Sequence, residues 1–298
     1  MTKRGNILIT GITGFTGRHA AKYFSSEGYE VIGVSRNYVP IHNIKIETCD
    51  LSNKLEVTNL LKKINPEFIL HLAGQNHVGR SWEEPLHSLE ANSLSTAYLI
   101  EAARQYTNVK KIVVVGSVLQ FNPDNLETLK HPYSLSKTLQ CMIAQSWSRL
   151  YQVPVVVAKP TNLIGPGYSN GICSIIAEKV AVIEKKQAEP LINVNNLYAT
   201  RDFLDVRDAV RAYDVLCKHG EVGQIYDITT GFNRTLKDVT DYFLNNANVD
   251  FEVKAKEAII EESYQIEPAK LKNLDWKPLI SFEASLQDTL NFYRNKLK

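Results

Sequence analysis

Tyr133-Ser134-Leu135-Ser136-Lys137 sets a tyrosine and a lysine four positions apart. On a helix, positions i and i+4 share one face. A lysine charge beside a phenol favours the phenolate and lowers the tyrosine's pKa. Such a tyrosine can give a proton to a carbonyl oxygen or take one from an alcohol. The spacing alone also fits a surface helix with a solvated lysine. Upstream, Val113-Val114-Val115-Gly116-Ser117 reads as the end of a buried strand. In open α/β sheets ligands sit at the carboxyl ends of the strands. Ser117 is therefore placed to bond the same substrate oxygen as Tyr133. The plainer role is a strand-end serine satisfying the backbone.

A second constellation opens the chain. Thr10-Gly11-Ile12-Thr13-Gly14-Phe15-Thr16-Gly17 has glycines spaced GxxGxxG. Gly11 permits a tight turn, Gly14 lets backbone approach a pyrophosphate, and Gly17 lets a helix pack closely on the sheet. Glycine spacing is weak by itself, but here it follows a strand and opens a helix, the context such a motif requires. The end of the second strand separates the two nicotinamide dinucleotides. It reads Gly33-Val34-Ser35-Arg36-Asn37, with no carboxylate to bond the ribose hydroxyls. A guanidinium and a hydroxyl attract a 2′-phosphate, so NADP(H) is expected, with Ser35 and Arg36 as ligands. The alternative for Arg36 is a solvated loop arginine. In Cys49-Asp50-Leu51, Asp50 could accept from the adenine amino group or cap the next helix. His71-Leu72-Ala73-Gly74 makes a small-residue turn beside the dinucleotide, and His71 itself reads as packed rather than catalytic.

These groups need a scaffold. Strands are expected over 6–10, 30–34, 44–48, 68–72, 111–115 and 153–158, several of them apolar throughout, as parallel strands covered on both faces are. Helices are expected over 15–27, 54–64, 86–105 and 133–151. The alternation predicts an α/β fold, a doubly wound parallel sheet. After Pro160 the pattern changes. Gly165-Pro166-Gly167 is a break. A helix is expected over 172–186, a strand over 200–206, a helix over 207–218 and a strand over 224–229. From Arg234 on, mixed helix and strand carries many charges. The expected division is a dinucleotide-binding domain over 1–160, with 201–230 returning to it, and a smaller, mainly C-terminal α/β substrate lobe over 161–200 and 231–298.

The 298 residues are 44% hydrophobic and 22% charged, enough for a sizeable core and too apolar for bulk disorder. Lys plus Arg is 34 against 32 acidic residues, which gives no reason to expect a nucleic-acid or membrane-surface partner. Cys49, Cys141, Cys173 and Cys217 are widely spaced, so neither a metal site nor a disulfide framework is expected. The opening Met1-Thr2-Lys3-Arg4-Gly5 lacks a secretory h-region, and no apolar run approaches the ~20 residues of a membrane span. A soluble, cytoplasmic protein is expected.

Taken together these motifs resemble the extended short-chain dehydrogenase/reductase family. The resemblance rests on Gly11, Gly14 and Gly17, Asp50-Leu51, the HLAG stretch at 71–74, Ser117, Tyr133 with Lys137, Lys159-Pro160-Thr161-Asn162, Gly165-Pro166-Gly167, and Arg201-Asp202-Phe203-Leu204-Asp205-Val206-Arg207-Asp208. It covers nearly the whole chain. It implies a Rossmann-type fold with Tyr133 as acid/base, Ser117 as its partner, and Lys137 holding the nicotinamide ribose and tuning Tyr133. It implies a cofactor site along Gly11, Thr13, Gly14, Phe15, Thr16, Gly17, Ser35, Arg36, Asp50, Leu51, Leu72, Ala73, Gly74, Tyr133, Lys137 and Pro160. Pro160 would wall the nicotinamide pocket. Members act mostly on nucleotide-linked sugars and commonly form homodimers through the helices at 86–105 and 133–151.

Within that family, Ser117 is followed by Val118-Leu119-Gln120-Phe121. The 4,6-dehydratases carry acids at the first positions, and removing water needs such a proton donor and acceptor. GDP-fucose synthases place a cysteine where Val118 stands. Gln120 and Phe121 depart from the usual Val-Tyr ending. What remains is a 4-keto reductase using exchangeable NADPH or a 4-epimerase retaining NAD, and Ser35-Arg36 favours the reductase. His77-Val78-Gly79-Arg80-Ser81-Trp82-Glu83-Glu84-Pro85, the RDFLDVRD run and Asp275-Trp276-Lys277-Pro278 look like the GDP-4-dehydro-6-deoxy-mannose reductases. The expectation is reduction of a GDP-linked 4-keto-6-deoxy hexose or heptose. Arg201 is expected at the substrate diphosphate and Asn162 at the sugar or diphosphate. His77, Arg80 and Ser81 are expected on a loop beside the sugar. A catalytically silent NADP(H)-binding regulator is the reading from another class, and the intact Ser117, Tyr133 and Lys137 weigh against it.

Overall fold

Strand β1 (Asn6–Thr10) is buried from its second residue on, because the sheet it centres is covered on both faces. The computed structural model describes residues 4–260 and 265–297, so Met1–Lys3 of the expected leaderless start lie outside the described residues. β1 feeds α1 (Phe15–Ser26), which buries Gly17, Ala20, Ala21 and Phe24 at helical spacing. There follow β2 (Glu30–Ser35), β3 (Lys45–Thr48), α2 (Lys54–Ile64), β4 (Phe68–His71), α3 (Val78–Glu83), α4 (Pro85–Leu89), α5 (Ser95–Tyr106), β5 (Lys111–Val115), α6 (Pro132–Tyr151) and β6 (Val155–Pro160). Between α4 and α5 the helix makes one wide π-type turn over Glu90–Leu94. The helix expected over 86–105 is therefore present but interrupted, and 77–83, expected as loop, contains a helix.

The rest of the chain adds β7 (Asn162–Ile164), α7 (Ile172–Glu184), β8 (Leu191–Asn196), β9 (Thr200–Asp205), α8 (Val206–His219), β10 (Ile225–Ile228), β11 (Asn233–Thr235), α9 (Leu236–Asn246), β12 (Glu252–Glu257), α10 (Ala269–Lys272) and α11 (Phe282–Lys296). The main sheet has seven strands in the order β10-β6-β5-β4-β1-β2-β3. β1 pairs in parallel with both β2 and β4, so the strand order reverses at the carboxyl end of β1, beside the glycine turn. This is the Rossmann-type arrangement.

The chain forms two compact units, Met1–Pro160 with Val210–Tyr226, and Thr161–Ala209 with Asp227–Lys298. The core of the first includes Leu8, Ile32, Leu61, Ile69, Leu99, Ile112, Val114 and Val157. The core of the second gathers Ile176, Val180, Phe203, Val239, Phe243, Leu286 and Leu290. The return expected over 201–230 is corrected to 210–226. β9 does not enter the main sheet; it pairs in parallel with β7 and antiparallel with β11 in a three-stranded sheet of the second unit. β8 and β12 form a separate parallel pair.

Candidate functional site

The turn after β1 is shaped by backbone. Gly11 has φ of 68°, the left-handed region that disfavours a side chain, and its carbonyl accepts the Gly14 N–H at 3.0 Å. A Cβ at Gly17 would lie 2.7 Å from the Ile12 backbone, so only glycine lets α1 start this close to β1. α1 has no side-chain N-cap and no acidic residue in its first turn. Its leading N–H groups, at Phe15, Thr16 and Gly17, are thus left without the usual capping oxygen, and the helix dipole favours an anion there. A dinucleotide phosphate fits this cradle.

Behind the turn lies a neutral histidine. His71 is fully buried, with Nδ1 2.8 Å from Thr10 Oγ1 and Nε2 2.9 Å from Thr96 Oγ1. Thr96 spends its proton on the Asn92 carbonyl at 2.6 Å, so His71 Nε2–H donates and Nδ1 accepts from Thr10. Burial, with the Lys137 charge adding to it, pushes this imidazole down to about 3. Thr10 Oγ1 also accepts the Ala73 N–H at 3.1 Å, fastening the Leu72–Gly74 turn to β1. His71 packs and does not titrate.

β5 and α6 bring together Ser117, Tyr133 and Lys137. Tyr133 is 6% exposed, and burial raises its phenol pKa while a hydrogen bond with the Ser117 side chain opposes that rise. Ser117 Oγ also accepts the Leu119 N–H at 3.0 Å, the backbone role considered for it. Lys137 donates from Nζ to the Val115 carbonyl at 2.8 Å, and burial pushes it down to about 8.

Several supports of this trio escaped the sequence. The π-type turn buries Asn92 completely. Asn92 Oδ1 accepts the Gln75 N–H at 2.8 Å, and Nδ2 donates to the Gln75 carbonyl at 3.0 Å and to Ser136 Oγ at 2.8 Å. Ser136 donates to the Tyr133 carbonyl at 2.8 Å. One asparagine thus ties the segment after β4 to the first turns of α6. The available signal was polar: Asn92, Ser93, Ser95 and Thr96 cluster within five residues of one helical stretch. Gln120 and Phe121 anchor the Ser117 loop on the same helix, Gln120 Nε2 reaching the Lys137 carbonyl at 3.2 Å and the Cys141 thiol, and Phe121 N–H reaching Thr138 Oγ1 at 3.1 Å.

Other expected site residues have structural duties. Ser35 donates to the Asn37 carbonyl at 2.7 Å, so its single proton is committed locally, while Arg36 is exposed. Asp50 is exposed; the Ser52 N–H and hydroxyl, and more weakly Arg36, hold its carboxyl below the usual carboxylate range. Asp50 does not cap α2, because Asn53 does, accepting from Leu55 and Glu56. Leu51 packs against the first core. Pro160 accepts the Val118 N–H at 3.1 Å. His77 caps α3 through Nδ1, and Arg80 pairs with Glu84 at 2.9 Å. Ser81 is fully buried, donates to the Val78 carbonyl and accepts the Tyr133 N–H at 3.1 Å. The stretch expected as a loop is a helix capped by His77, and its Ser81 braces Tyr133.

In the second unit, Asn162 donates to the Asp202 carbonyl at 3.2 Å, and exposed Arg201 donates to the Thr200 carbonyl at 2.6 Å. The three aspartates of the RDFLDVRD run are buried and structural. Asp202 accepts from Thr230 and Gly231 backbone, Asp205 pairs with Arg207 and Ser285, and Asp208 accepts the Leu279 and Ile280 N–H groups at 2.9 Å each. Trp276 Nε1 donates to the Asp208 carbonyl, which fastens the Asp275–Pro278 turn to the same run. Among the described residues no cluster of three or more His, Cys, Asp or Glu is arranged to hold a metal, and no helix is long and apolar enough to cross a membrane.

A parallel sheet with a glycine turn at its switch point and a Ser-Tyr-Lys trio at the end of β5, two strands away, defines a nicotinamide-dependent short-chain dehydrogenase/reductase of the extended type. Residues 7–229 match the NAD dependent epimerase/dehydratase family, and the chain belongs to it. It is 26% identical to the GDP-6-deoxy-D-mannose reductase of Pseudomonas aeruginosa, over 100% of this chain and 99% of that one. The structure of RMD from Pseudomonas aeruginosa complexed with NADPH superposes with a TM-score of 0.84 at 24% identity, covering 98% and 99% of the two chains. A UDP-glucose 4-epimerase from Thermotoga maritima, solved with UDP-glucose, gives a TM-score of 0.85 at 24% identity, covering 98% and 100%.

Proposed function

We propose that the chain reduces the 4-keto group of a nucleotide-linked 6-deoxy sugar with NADPH, a GDP-4-keto-6-deoxy hexose or heptose first among candidates. The observation that carries this reading is the end of β2, where exposed Arg36 stands beside Ser35 with no carboxylate, a setting that attracts the 2′-phosphate of NADPH, the exchangeable reductant that a reductase needs. The buried Tyr133 phenol would supply the proton that reduction of a carbonyl requires. Val118 and Leu119 supply no acid for dehydration.

The bound dinucleotide would supply hydride to C4. Residues 11–17 would hold its phosphates through the free N–H groups of α1. Arg36 would attract the 2′-phosphate, with Ser35 joining after a χ1 rotation that frees its proton. Asp50 and Leu51 would face the adenine, Leu72–Gly74 and Pro160 would border the rest of the cofactor, and Tyr133 and Lys137 would bond the ribose. Tyr133 gives its proton to O4, and Ser117 steadies the oxyanion as charge develops. The Lys137 charge then stabilises the phenolate left behind.

Arg201 and Asn162 are assigned to the nucleotide diphosphate and sugar, because a guanidinium binds phosphate bidentately. His77 stays a weaker candidate, since its Nδ1 is taken by the cap of α3. The reading includes a cytoplasmic homodimer. Exposed Leu86, Leu94, Met142, Leu150 and Tyr151 along α4 to α6 support that assembly. The sharing of its fold with a UDP-glucose 4-epimerase keeps a 4-epimerase with retained NAD as the second reading.

The test is a panel of GDP-, dTDP-, CDP- and UDP-linked 4-keto sugars with NADPH, followed by NMR of the product. NADPH consumption with the GDP sugar is expected. Turnover only with a UDP sugar overturns the GDP assignment. Interconversion of two stable sugar nucleotides without loss of reductant makes the chain an epimerase, and cofactor binding without any turnover makes it a silent binder.

A further inference from the structure

The helix that carries Tyr133 begins at a histidine. His131 is the N-cap of α6, Pro132 occupies the first helical position, and Tyr133 follows. Pro132 has no N–H to satisfy. The Tyr133 N–H goes to Ser81 Oγ at 3.1 Å, and the Ser134 N–H is shared between His131 Nδ1 and the His131 carbonyl, each at 3.0 Å. The imidazole and the Tyr133 ring lie with centroids 5.8 Å apart. Ser, Thr, Asn and Asp are the usual caps, and Ser, Thr and Asn accept through an oxygen whatever the pH near neutrality. An imidazole accepts only through an unprotonated nitrogen. A proton on Nδ1 would turn acceptor into donor, facing the Ser134 N–H, and would set a positive charge on the positive end of the helix dipole.

We propose that His131 is a positioning residue of the reduction: its unprotonated Nδ1 fixes the first turn of α6 and with it the Tyr133 phenol, so that one proton on the imidazole turns the enzyme down. This rests on the ketoreductase reading. Tyr133 and Lys137 do not produce the same effect. The Tyr133 phenol has its pKa raised and stays protonated through the acid range, and Lys137, near 8, is charged there.

The elements packed against α6 are α3, α4, the π-type turn, α5 and β6. Their charged groups and histidines are Arg80, Glu83 and Glu84 on α3, His77 capping it, His87 on α4, Glu90 at the turn, Glu101 and Arg104 on α5, and Lys159 on β6, with Lys130 next in the chain. Arg80 and Glu84 pair with each other. Burial is what pushes the His131 imidazole below 6.5, opposed by its own backbone, and none of these charges contributes. A folded pKa below the unfolded one means the unfolded chain binds the proton more readily. The cap is therefore fully present above 6.5 and is lost as pH falls through the lowered folded value.

The experiment compares wild type, His131→Asn, His131→Ala and His77→Asn between about pH 5 and 8, the window in which imidazole titrates. Wild type is expected to lose kcat on the acid side with KM little changed. His131→Asn should keep the neutral-pH kcat within about twofold and lose the acid decline, because asparagine is a cap that does not titrate. His131→Ala should lower kcat roughly fivefold at every pH. An acid decline unchanged in His131→Asn, or removed only by His77→Asn, overturns the proposal. Cofactor-free melting is measured alongside: the wild-type Tm should fall more steeply below 6.5 than that of His131→Asn. Equal slopes also overturn it. If no 4-keto sugar nucleotide turns over, the ketoreductase reading has failed, and the melting slopes alone decide whether this cap titrates.

Discussion

Replacing Gly14 by alanine separates the space a ligand needs from the space the fold needs. Gly14 has φ −73° and ψ 174°, a conformation open to any residue. A Cβ built there meets one heavy atom within 4 Å, the Gly11 carbonyl oxygen at 3.3 Å. The cofactor-free protein should lose no more than the capping advantage of glycine over alanine, under about 1 kcal/mol, or roughly 2–4 °C in Tm. If a pyrophosphate packs on this backbone, the added methyl occupies its place. Overpacking of that kind costs about 1–3 kcal/mol, so NADPH should bind roughly 5- to 150-fold more weakly. Gly17→Ala is the contrasting case. Its Cβ would stand 2.2 Å from the Gly11 carbonyl oxygen and 2.7 Å from Ile12 backbone carbons. Reaching ordinary contact would move α1 away from β1 by about 1.2 Å, and the cofactor-free protein itself should lose about 1–3 kcal/mol. The assay is an NADPH fluorescence titration beside a cofactor-free melt for each variant. A Gly14→Ala protein that binds NADPH as tightly as wild type would refute the phosphate cradle.

Tyr133→Phe should cut kcat by orders of magnitude while weakening NADPH binding only slightly, by the one ribose hydrogen bond, as single-turnover kinetics and titration would show; full activity would remove the phenol from proton transfer. Ser81→Ala leaves the buried Tyr133 N–H without its acceptor and should cost about 1–3 kcal/mol in denaturant unfolding, with kcat falling too. Lys137 is held near 8 against 10.5 unfolded, so the folded protein binds that proton less readily and wild-type stability should rise as pH climbs through this interval. In Lys137→Met melts across the same interval, that rise should vanish. Tyr213 is fully buried and its hydroxyl has no partner among the described residues, so Tyr213→Phe should raise stability by about 1 kcal/mol in the same unfolding assay.

The parts legible in the sequence were those set by local chemistry. Apolar runs with β-branched residues marked β1, β5 and β6, and glycines between a strand and a helix marked the phosphate turn. The four-residue spacing set Tyr133 and Lys137 on one helical face. Less legible were elements whose ends depend on distant partners. α3 is short and hangs on the His77 cap and on Ser81 meeting Tyr133, contacts that no local pattern announces. β9 reads as a strand in isolation, yet which sheet it joins depends on β7 and β11.

The sequence alone determined which groups could carry the chemistry: a glycine turn, a serine, a tyrosine and a lysine, with no acid after Ser117. Backbone conformation and helical spacing are short-range properties, so they travel with the residues themselves. Tertiary structure decided the electrical state of those groups and what holds them. Burial raises the Tyr133 phenol's pKa and presses Lys137 down to about 8, and buried Asn92 and Ser81 brace the first turns of α6. Burial and long-range hydrogen bonds arise only when segments far apart in the chain exclude water together, so no reading of neighbouring residues contains them.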